Sequence, residues 1–115
     1  MLFALERIGV EAQVTDEPDT IVAADKVIFP GVGEASTAMQ YLRDRKLDVL
    51  IRNLKQPVLG ICLGLQLMCK HSEENDTECL GIFEEVVEKF KPKKEQLLKV
   101  PQIGWNNIYD LKTPL

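Results

Sequence analysis

Imidazole is scarce in this sequence: His71 is the one histidine among 115 residues. Catalysis or metal binding by a cluster of histidines is excluded within it. Cys69 lies two residues before His71, a spacing that would put the two on different sides of a helix and makes them a poor shared ligand pair. Cysteine is also sparse. Cys62, Cys69 and Cys79 are odd in number and match neither a C-x-x-C redox pair nor a zinc knuckle, which argues against a disulfide framework. The composition calls for no metal and no cofactor. No apolar run approaches the roughly 18 residues that a membrane span requires, and the opening "MLFALERIGV" lacks the basic start and small-residue cleavage site of a secretory signal. A soluble cytoplasmic protein is expected. The formal net charge is −4, and the lysines are scattered except between Lys89 and Lys94. That balance argues against nucleic acid as a partner.

What is present fits one domain across residues 1–115 with a single core. "MLFALERIG" carries a helical apolar stripe and ends at a glycine suited to a left-handed cap. "VEAQV" alternates apolar and polar like a short strand, "TDEPD" interrupts it, and "KVIFP" predicts a second strand. "EASTAMQYLRDRKLDVLIRNL" has helical spacing at Ala38, Leu42, Leu47, Leu50, Ile51 and Leu54, enough for one long helix or two short ones. "PVLGIC" predicts a strand and "LGLQLMCKHSEE" a helix. Strands separated by helices in this rhythm predict an α/β fold with a doubly wound, mostly parallel sheet. Beyond it, "GIFEEVVEKFK", "PKKEQ" and "LLKVPQIGWNNIYDL" suggest a C-terminal β-hairpin region, although "FEEVVEKF" also has helical periodicity.

The chemistry concentrates at "GICLGLQ". Gly60 and Gly64 flank Cys62 in a G-x-C-x-G pattern at a strand-to-helix junction, the cysteine form of a nucleophile elbow. A sharp turn there lifts the sulfur above the strand end, while strand and helix backbones approach so closely that side chains at both flanking positions would clash. The sulfur then lies near the first turn of the helix, and the amide of Leu63 can donate to an oxyanion formed by attack on a carbonyl. A buried strand and helix containing a small apolar cysteine explains the same letters equally well. A second loop shifts the balance. "FPGVGEAS" also follows a strand, and Gly31 and Gly33 would let its backbone turn an amide toward the same oxyanion.

Together, "PGVG" and "GICLGLQLM" resemble the class I, or triad, glutamine amidotransferases. "FPGVGEAS" and "KVPQIGWN" are most similar to the glutaminase subunits of imidazole glycerol phosphate synthase, whose partner is a (βα)8-barrel cyclase. The resemblance implies hydrolysis of glutamine to glutamate and ammonia, with the ammonia passed to the cyclase for histidine biosynthesis. It makes Cys62 the nucleophile, gives Val32 and Leu63 the oxyanion amides, and assigns Gly31, Gly33 and Gln66 to glutamine. Gln66 lies one helical turn after Cys62 and can face the same pocket. Pro101, Gln102, Trp105 and Asn106 fall in the segment that resembles the cyclase-facing one; Gln102 stands where the family often has histidine. A tryptophan buried in a hairpin core is the competing reading of Trp105.

A cysteine nucleophile needs a proton acceptor, usually a histidine held by a carboxylate. His71 follows Cys62 by nine residues on the same expected helix, roughly 13 Å along its axis at 1.5 Å per residue, beyond hydrogen-bond reach. The resemblance puts the catalytic His-x-Glu pair in a C-terminal segment, and a first strand ahead of the first helix, both outside these residues. The expectation is therefore a partial amidotransferase domain. Two other classes remain open: a non-catalytic chain that only docks on the cyclase, and a DJ-1-like cysteine protein with its thiol at a similar elbow.

Overall fold

A computed structural model describes residues 1–92, 100–101 and 103–110. Its first parallel unit contains strand β1 (Val27–Gly31), helices α3 (Ala35–Asp44) and α4 (Leu47–Asn53), and strand β2 (Val58–Cys62). β1 and β2 pair in parallel from Val27 opposite Val58 to Gly31 opposite Cys62, so both strands end at the same level. Helix α5 (Leu63–Met68) leaves β2 with no intervening loop. Every connection that follows these strands therefore emerges at one edge of the unit, the usual place for a ligand in open α/β sheets.

The helices form because their apolar positions recur at helical spacing and face one core. Ala35, Met39 and Leu42 of α3 are buried with Leu47 and Ile51 of α4 and Leu63 and Leu67 of α5. Ile21, Phe29, Ala38 and Leu50 pack against this cluster, and Cys79 and Leu80 complete it. The long apolar pattern of residues 34–54 resolves into two helices because Lys46 adopts a left-handed conformation (φ 57°, ψ 20°) between them. Pro18 opens helix α2 (Pro18–Ala23), which has Asp19 in its first turn. Proline fits there because its missing N–H is not needed in a first turn. The segment was expected only as a break.

Helix α1 (Leu2–Arg7) forms where expected but buries no residue. "VEAQV" is no strand: Val10 and Val14 are exposed, and the segment pairs with neither β1 nor β2. Alternation marks a strand only when a neighbour supplies the ladder and a core covers one face. α5 is shorter than "LGLQLMCKHSEE" suggested, because Cys69 turns extended (φ −68°, ψ 173°) after Met68.

A second small sheet follows. Strand β3 (His71–Ser72) pairs antiparallel with β4 (Thr77–Glu78) across a 3₁₀ turn at Glu74–Asp76, and in parallel with β5 (Val86–Val87). The first arm of the expected C-terminal hairpin region lies within this sheet. Val86 and Val87 are extended as their β-branched side chains favour, and among the described residues their partner is β3, 15 residues earlier. "FEEVVEKF" is accordingly no helix. Residues 93–96 of the turn "PKKEQ" and 97–99 of the following "LLKV" lie outside the described residues. Among the described residues no helix is long and apolar enough to cross a membrane.

Candidate active site

Cys62 is the last residue of β2 and the cap of α5, with φ 55° and ψ −123°. A side chain rarely occupies that region, which mirrors the first central position of a type II turn and costs about 1–3 kcal/mol. The surrounding packing enforces it. A Cβ at Gly64 would overlap the carbonyl oxygen of Phe29. One at Gly60 would lie 2.7 Å from both Leu65 Cα and Met68 Sδ, and one at Gly31 would lie 2.8 Å from Gly64 N. Three glycines thus allow β1, β2 and α5 to meet backbone to backbone, and the thiol of Cys62 is left exposed at the strand ends. Cys69 and Cys79 differ: desolvation, first among the causes, raises the pKa of both thiols. Cys62 is the accessible thiol at this edge.

The parallel register brings the second motif to the same place. Since Gly31 pairs with Cys62, "VG" leaves β1 beside the start of α5. Val32 is 93% exposed. Gly33 has φ +98° with nothing within 4 Å of an added Cβ, so its glycine serves conformation rather than space. Leu63 is buried through its side chain as the first residue of α5, and Gln66 is exposed on the same helix. The structure therefore gathers Gly31, Val32, Gly33, Cys62 and Leu63 at one edge.

The remaining expected residues lie elsewhere. Pro101, Trp105 and Asn106 are exposed in a stretch without helix or strand, and Gln102 falls outside the described residues. The indole of Trp105 is fully exposed, which removes the reading of a tryptophan buried in a hairpin core. His71 is not on the helix that follows Cys62; it lies on β3, half-buried, with Nε2 3.1 Å from Asp76 Oδ1. The triplet His71–Ser72–Glu73 has the spacing of a His-x-Glu pair, yet Glu73 is engaged by Lys91 Nζ at 2.8 Å and by the amide of Lys89 at 2.8 Å.

Three residues near this edge were not singled out from the sequence. Glu34 caps α3, accepting from the amide of Ser36 (3.1 Å), the hydroxyl of Ser36 and Thr37 Oγ1 (2.8 Å). Asn75 Nδ2 donates to the same carboxylate at 2.6 Å, and Glu74 Oε2 accepts from the amide of Ala35 at 2.8 Å. Hydrogen bonds, first from Ser36 and then from Thr37 and Asn75, hold the Glu34 carboxyl down to a pKa of about 2. An acidic residue just ahead of a helical run was the available signal for Glu34.

This chain has close relatives among known proteins. It is 56% identical over 113 residues to the imidazole glycerol phosphate synthase subunit HisH of Bacteroides fragilis, an alignment covering 98% of this chain and 57% of that protein. It is 57% identical over 106 residues to the subunit of that name from Bacteroides thetaiotaomicron, covering 92% of this chain and 54% of that protein. The Idiomarina loihiensis subunit is 46% identical over 106 residues, covering 92% of this chain and 53% of its own length. The chain thus spans little more than half the length of these relatives. The model of the SNO glutamine amidotransferase family matches residues 2–92, from α1 through the elbow and the second sheet. By that match, the chain belongs to the SNO glutamine amidotransferase family.

Proposed function

We propose that this chain carries the nucleophile half of a glutaminase that supplies ammonia to the cyclase of imidazole glycerol phosphate synthase, in histidine biosynthesis in the cytoplasm. The observation that carries the reading is the register of Gly31 against Cys62, which puts the glycine loop and the elbow side by side. The names of the relatives support the same assignment.

In this reading residues 1–115 are one partial amidotransferase domain. The sulfur of Cys62 attacks the carboxamide carbon of glutamine, and the amides of Val32 and Leu63 donate to the oxygen that becomes negative. The C–N bond breaks, a thioester forms, and ammonia leaves with the proton taken from the thiol. Water then cleaves the thioester to glutamate and restores the thiol. Gly31, Gly33 and Gln66 hold the glutamine. The resemblance assigns proton transfer to a His-x-Glu pair in a further segment, while His71 faces Asp76. Pro101, Gln102, Trp105 and Asn106 contact the (βα)8-barrel cyclase, the partner in a heterodimer.

A glutamine-mimicking diazoketone tests the reading. Its terminal carbon should form a thioether with Cys62, releasing nitrogen and taking the thiol proton, and Cys62→Ala should abolish this labelling. If Cys62 ignores the diazoketone but forms a sulfenic acid readily with peroxide, the glutaminase reading falls and a redox thiol replaces it.

A further inference from the structure

The turn at Glu74–Asp76 is more firmly held than its exposure suggests. Ser72 and Thr77, opposite each other in the β3–β4 ladder, are both buried. Ser72 Oγ accepts from the amide of Glu74 at 3.2 Å, and Thr77 Oγ1 donates to the carbonyl of Glu74 at 2.6 Å. Between them Asn75 (φ 50°) and Asp76 (φ 47°) are left-handed, a conformation that Asn and Asp tolerate better than most residues. The turn is thus a fixed support. From it Asn75 Nδ2 reaches Glu34 and Glu74 Oε2 reaches the amide of Ala35, two adjacent residues directly after Gly33.

Gly33 itself is exposed, with open space where a side chain would stand. Its conformation is fixed by β1 on one side, through the pairing of Gly31, and by residues 34–35 on the other. We propose that Glu34 and Asn75 are positioning residues: the bond between carboxylate and carboxamide fastens the glycine loop to the 74–76 turn and sets where the Val32 peptide lies relative to Cys62. This deepens the reading above and rests on it. Capping of α3 alone does not require Asn75, because Ser36 and Thr37 already fill the local donors to Glu34.

Asn75→Gly tests the contact cleanly, since glycine keeps the left-handed backbone and removes only the carboxamide. In the full chain, labelling of Cys62 by the diazoketone should slow roughly tenfold or more, the scale set by a small misplacement of a donor. Labelling by iodoacetamide, which needs no oxyanion donor, should keep its rate, and the melting temperature should fall only slightly, through the loss of one hydrogen bond. Glu34→Gln should slow the diazoketone similarly, and the double variant should be no slower than the slower single one. Asn75→Gly reacting at the wild-type rate, or slowing equally with both reagents, overturns the proposal. Should the wild-type chain ignore the diazoketone, the glutaminase reading fails separately. The clamp is then judged by hydrogen exchange at the Val32 and Gly33 amides: acceleration in Asn75→Gly sustains it, and no change overturns it.

Discussion

A methyl group at Gly64 has nowhere to go, because the carbonyl oxygen of Phe29 already occupies its place. In most helices Gly→Ala stabilises by about 1 kcal/mol. Here the sign reverses, and Gly64→Ala is expected to cost more than about 3 kcal/mol by pushing α5 off β1. Gly33→Ala meets no atom and has only its positive φ to satisfy, so its cost should stay at about 1–3 kcal/mol. Urea denaturation of the two variants checks the ranking; equal losses would refute the steric account. The close approach at Gly60 and Gly64 was legible in the sequence because a nucleophile between two glycines encodes its own geometry locally. The Glu34–Asn75 contact was not, because it joins residues 41 apart and depends on a turn whose left-handed backbone leaves no pattern.

Helix α3 begins at a carboxylate that works only while ionised. Its folded pKa of about 2 lies below the ordinary 4.5, so the unfolded chain binds the proton more readily. The contribution is fully present above pH 4.5 and is lost as the pH falls toward 2. Asp16 is lowered first by its bond from Tyr41 and Glu73 first by its bond from Lys91, so the wild-type acid loss is shared among several carboxylates. Comparison with Glu34→Gln isolates one of them. The variant should be the less stable near neutrality and should converge on the wild type near pH 2, as followed by denaturant titration at each pH. A constant gap across that range would mean that the glutamine is simply a poor fit. The helices of the central unit were legible for a related reason: apolar spacing and capping are written within ten residues of each other. The strands of the second sheet are two residues each and take their partners from segments up to 15 residues away, so β-forming residues such as Val86 and Val87 announced an extended segment but not its parallel pairing with β3.

At the scale of the whole molecule the core lies between α3, α4, α5 and the second sheet, and much apolar surface remains outside it. Phe3, Ile8 and Val14 are exposed near one terminus; Ile103, Trp105, Ile108 and Tyr109 are exposed near the other. The second group falls within the seven residues 103–109 and includes two aromatic side chains of the kind that anchor interfaces. Trp105 is the single tryptophan of the chain, so its fluorescence reports that stretch alone. Emission should be that of a water-exposed indole, open to quenching by acrylamide and independent of protein concentration. Adding the separately purified cyclase should shift it to shorter wavelength and protect it, and Trp105→Ala should weaken binding by about 2 kcal/mol or more, roughly thirtyfold. Emission that shifts with concentration in the absence of cyclase would assign the stretch to self-association. Emission that ignores the cyclase while binding is observed by another method would move the interface elsewhere, with the other exposed apolar group, Phe3, Ile8 and Val14, as the surface to substitute next.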